Sequence, residues 1–151
     1  MWGRHGAAGL FLVAEDSLQG EPAVLMQHRA EWTNFGGTWG IPGGARDLHE
    51  TVEEAALRET VEECGIDPDD VDVIASYITS GPFPPYKELP GGWTYSTVIA
   101  RTRSGKELDT TANNESAELR WVALSKVQQL NLLGPFAEAL PGIIGKLEAQ
   151  R

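Results

Sequence analysis

Three carboxylates dominate the chemistry this chain could perform. Glu59, Glu62 and Glu63 stand at offsets 0, 3 and 4, which at about 100° per residue makes them direct neighbours on one helical arc. Like charges so placed repel each other. No Lys lies between Val52 and Cys64, and only Arg58, four residues after Glu54 and four before Glu62, offsets them. A solvated acidic face is the common outcome for such a run. The alternative is a site for a hard cation. With no Cys or His among the clustered carboxylates, the donors suit Mg²⁺ or Mn²⁺ rather than Zn²⁺, and the spacing of a calcium-binding EF-hand loop is absent. The glycine-rich stretch Trp39-Gly-Ile-Pro-Gly-Gly44 leads into this region.

The elements that must position these groups can be read from punctuation and periodicity. Thr51 and Glu54 form a capping-box pair, Gly65 sits at a helix-end position and Pro68 lies just beyond, which predicts a helix over Val52 to Cys64. Leu57, Thr60, Val61 and Cys64 form its expected core face, and the Glu arc lies beside the small residues Val52, Ala55 and Ala56. Upstream, Ala8 to Val13 and Ala23 to Arg29 read as hairpin-linked strands, followed by a loop from Ala30 to Gly44. Downstream, strands are expected over Val71 to Thr79, Thr94 to Ala100 and Leu119 to Leu124. A stiffened loop over Gly81 to Gly92 carries Pro82, Pro84, Pro85 and Pro90, and Asp109 to Ser116 is polar loop. A closing helix over Phe136 to Glu148 is expected to break near Pro141 and Gly142. Strands on both sides of a central helix suggest an α/β sandwich with a mixed sheet.

Composition narrows the function. A chain of 151 residues is one ordinary domain with room for a real core. The formal net charge of −10 at pH 7 argues against binding a nucleic-acid polymer or anchoring to a membrane through a basic patch. If the ligand is a polyanion, a divalent metal is the obvious bridge. The single Cys, Cys64, excludes an intrachain disulfide and fits a reducing, cytoplasmic setting. No apolar run reaches the roughly 18 residues of a spanning helix.

The stretch Gly44-x5-Glu50-x7-Arg58-Glu59-Thr60-x-Glu62-Glu63-x-Gly65-Ile66 resembles the box of the Nudix (MutT-like) hydrolase family. Seven fixed identities at this spacing arise by chance about once in 10⁶ chains of this length. The Trp39 to Gly44 approach, the upstream hairpin and the segment Glu115 to Leu124 extend the resemblance over most of the chain. Thr60 departs from it, standing on the core arc where the family prefers a bulky aliphatic; its hydroxyl is expected to bond back to the helix. The resemblance implies a single domain over 1–151, an α/β/α sandwich around a central mixed sheet, and Mg²⁺-dependent hydrolysis of a nucleoside diphosphate linked to another moiety, with Mn²⁺ able to substitute.

By the same resemblance, Glu62 and Glu63 are the main metal ligands, Glu59 is a further ligand or orients the attacking water, and the Gly43 carbonyl is an additional ligand. Arg58 holds a box carboxylate, and Glu50 contributes less. Glu115 is the first choice for a carboxylate from outside the box, with Glu118 second. Arg29, Arg46 and Lys87 are candidate phosphate contacts, and Trp2, Phe35, Trp39, Trp93 and Tyr95 are candidates for stacking on a base. His5, His28 and His49 read as structural or solvated, and Cys64 as a small buried hydrophobe. Pro82, 16 residues after Ile66, resembles a marker of the ADP-ribose subclass, whereas hydrolysis of oxidised nucleoside triphosphates stays equally open. The rival reading is a nucleotide sensor without catalysis on the same fold. The intact charged box argues against it. The family often forms dimers, which implies a homodimer here.

Overall fold

The computed structural model describes residues 5–32, 36–83, 91–114 and 116–150. Seven strands and two helices follow in the order β1 (Ala7–Ala14), β2 (Ala23–Arg29), β3 (Trp39–Gly40), β4 (Gly43–Ala45), α1 (Val52–Cys64), β5 (Val71–Phe83), β6 (Trp93–Thr102), β7 (Ser116–Ala123) and α2 (Gly134–Ala149), with short 3₁₀ turns at Pro68–Asp70 and Leu124–Gln129. The sheet runs β3-β2-β1-β6-β5, with β4 also pairing β1 and β7 also pairing β2. It is mixed: β1 lies parallel to β6 and antiparallel to β2 and β4.

β1 is buried along its whole length, and its alternation builds both layers. Leu10 and Leu12 join Leu25, Ala55, Ala56 and Cys64 under α1. Phe11 and Val13 join Met26, Phe136, Leu140 and Ile143 under α2. Each buried Leu, Val, Ile, Phe or Met among them contributes about 1.5–3 kcal/mol relative to exposure. The result is the α/β/α sandwich expected from the sequence.

One detail of the sheet creates the site. β1 and β2 pair only at Val13↔Val24 and Ala14↔Ala23 and then splay apart. The strap from Trp39 to Ala45 fills the fork: β3 pairs with Gln27 and His28 of β2, and β4 pairs with Ala7 to Gly9 of β1. The expected loop over Ala30 to Gly44 thus contains two strands, each too short for any periodicity to betray it.

α1 has the predicted bounds. The capping box is complete, with Thr51 Oγ1 accepting from the Glu54 N–H at 3.1 Å and Glu54 accepting from the Thr51 N–H at 2.9 Å. Gly65 closes the helix at φ 71°, a left-handed conformation that glycine adopts without strain. Thr60 Oγ1 donates to the Ala56 carbonyl at 2.8 Å, the expected back-bond. The core face differs from expectation. Ala55, Ala56, Thr60, Glu63 and Cys64 are buried, whereas Val61 is 41% exposed. The small alanines bring the helix close to the sheet, and the rotation that does so carries Glu63 inward and Val61 out.

Two boundaries move and one expected break is absent. β5 continues to Phe83, because Phe83 pairs with Trp93 of β6. β7 begins at Ser116, three residues before the expected Leu119, because it pairs along the whole of β2. α2 runs unbroken through Pro141: Leu140 and Ile143 keep the buried stripe, and Pro141 lies on the exposed side, where its missing donor faces water.

Candidate active site

Glu59 and Glu63 of α1 line one end of a cavity of about 390 Å³. Arg29 at the end of β2, the strap residues Gly43 and Gly44, and the hydroxyls of Thr79 and Thr97 also face it. Phe83, Trp93 and Tyr95 of the β5–β6 hairpin form an aromatic wall, and Leu133, Phe136 and Ala139 supply an apolar one from the α2 side. The cavity therefore joins an acidic end to an aromatic end.

The acidic end is built to hold a buried charge. Glu63 is only 3% exposed. Its Oε1 accepts the Gly43 N–H at 2.9 Å, and its Oε2 accepts from Gln27 Nε2 at 2.8 Å. A buried carboxylate needs such donors, since desolvation without them costs several kcal/mol. Gly44 is pressed against Glu59: a Cβ there would lie 2.6 Å from the carboxylate carbon, so any side chain would displace it. Gly43 is equally confined, because its Cβ would meet the Ala8 carbonyl oxygen at 2.4 Å.

Arg58 organises the outer half of the cluster. Its Nε and Nη2 donate to the two oxygens of Glu50 at 2.7 and 2.9 Å, a bidentate pair. Nη2 also donates to the Ala45 carbonyl at 3.0 Å, and Nη1 reaches Glu59 at 3.1 Å and Glu62 at 3.3 Å. Hydrogen bonds from Arg58, and then from the Asp47 backbone, hold the Glu50 carboxyl down to about 2. The same partnership raises Arg58 above its ordinary value, Glu50 first among the causes. Glu54 completes the expected cap, and Arg58 turns to Glu50, Glu59 and Glu62.

Glu62 is the odd member. Its side chain is 55% exposed and turned toward Arg58. Among the described residues, no three Asp, Glu, His or Cys side chains converge on one point as a ready-made metal cage. The donor chemistry nevertheless suits a hard cation: every candidate is an oxygen, and two of the carboxylates face one cavity beside two glycines that admit close approach.

Several expected roles fall elsewhere. Trp39 does not line the cavity. It is 8% exposed in the α2-side core, stacked on His28 at 4.5 Å between ring centroids, with Arg120 Cζ 4.9 Å from its ring centre. These contacts and its burial commit the ring to the core. Arg46 is committed to the backbone, donating to the His5 carbonyl at 3.0 Å and the Glu50 carbonyl at 2.7 Å, and it does not reach the cavity. Glu118 forms a bidentate pair with Arg120 at 3.0 Å on the surface. Trp2, Phe35, Lys87 and Glu115 lie outside the described residues. Glu53, on the far side of α1, accepts from Ser76 Oγ of β5, which lowers its pKa.

Tyr95 is half-buried where it lines this site. Burial first, then the charge of Glu63, raises its phenol above the ordinary value, with Arg29 opposing. Sequence reasoning misses Gln27, Ser116 and Phe83, and with them Thr79 and Thr97. A signal existed for Gln27. Alternation along β2 places it two residues after Leu25 and so on the α1 side, where a polar residue amid an apolar strand needs a partner.

Comparison with known proteins agrees with this geometry. The NUDIX domain profile matches residues 3–141. A Mycobacterium tuberculosis protein provisionally named 8-oxo-dGTP diphosphatase 3 is 51% identical over 140 residues, 90% of this chain but 60% of that protein, so this chain spans about three-fifths of its relative. A nucleoside triphosphate pyrophosphatase/Nudix hydrolase fusion protein of Bifidobacterium longum is 40% identical over 97% of this chain and 29% of its own length. The crystal structure of RenU, a Nudix hydrolase from M. smegmatis, superposes with a TM-score of 0.87 at 42% identity, covering 99% of this chain and 89% of RenU. A C. elegans Ap4A hydrolase shares the fold at a TM-score of 0.69 and 20% identity, covering 95% of this chain and 98% of its own. On the match across nearly its whole length, the chain belongs to the NUDIX domain family.

Proposed function

We propose that this chain is a Mg²⁺-dependent pyrophosphohydrolase that cleaves the phosphoanhydride of a nucleoside diphosphate linked to another group, with nucleoside triphosphates carrying an oxidised purine as the first substrate class. The observation that carries it is the union, in one cavity, of the Glu59 and Glu63 carboxylates with the aromatic wall of Phe83 and Trp93. An acidic end holds the metal that a polyphosphate requires, and the rings offer a surface on which a base can stack.

Glu59, Glu62 and Glu63, with the Gly43 carbonyl and Glu115, would hold the ion, and Mn²⁺ could replace it. Such an ion would supply charge neutralisation at the phosphates and a more acidic bound water. Glu62 would contribute its carboxylate in place of its contact with Arg58, which has Glu50 as its bidentate partner. Glu59, fixed between Arg58 and Gly44, orients the attacking water. Arg29 meets a phosphate at the cavity end of β2, and Lys87 adds a second contact. The name of the 51% identical relative favours a nucleoside triphosphate. The Pro82 offset favours an ADP-ribose-type substrate as the second reading. The whole chain acts as one domain, the family habit favours a homodimer, and the lone buried thiol of Cys64 suits the reducing cytoplasm.

A substrate panel decides the reaction. Oxidised and ordinary nucleoside triphosphates, ADP-ribose and dinucleoside polyphosphates are incubated with Mg²⁺ and, separately, with EDTA, and nucleotide and phosphate release are scored. Turnover with Mg²⁺ and its loss in EDTA are expected. Isothermal titration with a non-hydrolysable triphosphate analogue should show affinity rising steeply with Mg²⁺. Tight binding in EDTA without turnover in Mg²⁺ would replace the hydrolase with a nucleotide sensor.

A further inference from the structure

The Glu63 carboxylate is clamped from both sides of the fork between β1 and β2. The strap supplies the Gly43 N–H to Oε1, and β2 supplies Gln27 Nε2 to Oε2. Gln27 is 2% exposed. Its amide nitrogen also donates to Ser116 Oγ, the first residue of β7, at 2.8 Å, so the two distances of 2.8 Å use both N–H bonds of one amide. A deprotonated carboxylate only accepts, which fixes the Gln27 atom facing it as the nitrogen.

The chemistry of this donor matters. An amide fixes the plane of Glu63 and satisfies a buried oxygen while leaving its full negative charge. A Lys or Arg in the same place would neutralise that charge and compete with any cation. Arg58 does so on the outer half of the cluster, where it spreads over Glu50, Glu59 and Glu62. On the inner half the strap and β2 each bring a neutral N–H group to Glu63. Ser116 in turn holds the amide in register, since the rotation of Gln27 is fixed by acceptors at both hydrogens.

We infer that Gln27 is a positioning residue: held by Ser116, it fixes the buried Glu63 carboxylate for a divalent cation without discharging it. The inference rests on the hydrolase reading above and extends it to a residue outside the charged box. Partners of this kind on metal ligands are worth about 10–100-fold in metal affinity or activity.

The test uses the full chain and Mn²⁺ alone. Gln27→Met keeps length and volume and removes both donors. Mn²⁺ affinity, read from the free-ion EPR signal, should fall about tenfold or more. kcat should fall similarly, while KM for the nucleotide moves much less. In a Glu63→Gln background, Gln27→Met should cost nothing further in either measure. Wild-type Mn²⁺ affinity in Gln27→Met, or an undiminished loss in the Glu63→Gln background, overturns the inference. Should Gln27→Met fail to fold, Ser116→Ala must still weaken Mn²⁺ binding a few-fold, and wild-type affinity in that variant overturns it equally. A wild-type protein that binds no Mn²⁺ overturns the hydrolase reading and this inference together, whereas wild-type binding with an unaffected Gln27→Met overturns the inference alone.

Discussion

Two regions line the cavity and are built in opposite ways. From Gly43 to Gly65 the chain is over-determined. Glu63 is gripped by Gly43 and Gln27, Glu59 is pressed between Arg58 and Gly44, and Glu50 is locked by a bidentate arginine. On the β5–β6 hairpin, Phe83 and Trp93 meet at 6.0 Å between ring centroids, and the Thr79 and Thr97 hydroxyls bond at 3.0 Å. Directional bonds fix charges on the first side, where a displacement of about 1 Å can cost a hundredfold in rate. Rings and hydroxyls on the second side tolerate a range of bases. The reaction is thus written in hydrogen-bond geometry and the substrate preference in surface shape.

The largest expected effect separates the two sides of α1. Glu63→Gln should lower kcat by about 10³ or more, since a carboxylate ligand to a catalytic metal is lost. Its amide would also set a donor against the donors of Gly43 and Gln27, costing about 1–3 kcal/mol of stability. Glu53→Gln, on the face toward Ser76, should leave kcat nearly unchanged. Steady-state nucleotide release checks both, and equal losses would abolish the distinction between the inner face of α1 and the rest.

The next effect contrasts two tryptophans. Trp39→Ala empties a core position and should cost about 3–5 kcal/mol in urea unfolding, with kcat and KM near wild type in whatever fraction remains folded. Trp93→Ala, at the cavity wall, should raise KM about tenfold through lost stacking and leave the unfolding midpoint nearly in place. A reversal of this pattern would put the base against β3 and not against the hairpin.

These two residues also show where the sequence speaks and where it falls silent. Thr51, Glu54 and Gly65 act through bonds within four residues, so the bounds of α1 were legible without any tertiary information. Trp39 and Trp93 both sit in glycine-containing stretches, and nothing local distinguishes them. Their fates depend on β3 entering the fork, a pairing of only two residues decided by the splay of strands far away in sequence. The core arc of α1 failed for a related reason. Periodicity rates Val61 above Glu63 as a buried residue, but the strap and β2 bring N–H groups that make burial of Glu63 affordable, while no apolar surface arrives over Val61. The spacing Arg58 to Glu63 was plain in the chain; that Glu62 turns outward to Arg58 while Glu63 turns inward to Gln27 was not.

A smaller effect tests the outer pair. The Glu50 carboxyl ordinarily titrates at 4.5 and is held down to about 2, by Arg58 first. A depressed carboxylate contributes stability that is complete above its unfolded value and is lost as pH falls through the folded one. The Glu50→Gln variant should therefore melt below wild type at pH 7, and the gap should close as pH falls from about 4.5 toward about 2. Melting curves across that range check it. A gap independent of pH would mean that Glu50 acts by packing and not by its charge on Arg58.

The smallest expected effect is on the fold when metal is withdrawn. The Gly43 to Gly65 unit is rigid because its carboxylates already have protein donors: Glu63 has two N–H groups, and Arg58 serves Glu50, Glu59 and Glu62. The hydrophobic layers on either side of the sheet do not depend on an ion, unlike small domains that fold only around one. EDTA should therefore abolish turnover while moving the melting temperature by no more than a degree or two. Adding Mg²⁺ should raise the melting temperature only by the modest mass-action term of a bound ligand, which grows as RT ln(1 + [L]/Kd). Glu63→Gln should blunt that rise, because its ligand is gone, whereas Trp93→Ala should leave it intact. Complete unfolding on chelation would show that the charged side of the cavity is assembled by the ion. A Mg²⁺-induced rise lost equally in Glu63→Gln and Trp93→Ala would show that the two sides are not the separate devices their bonding makes them.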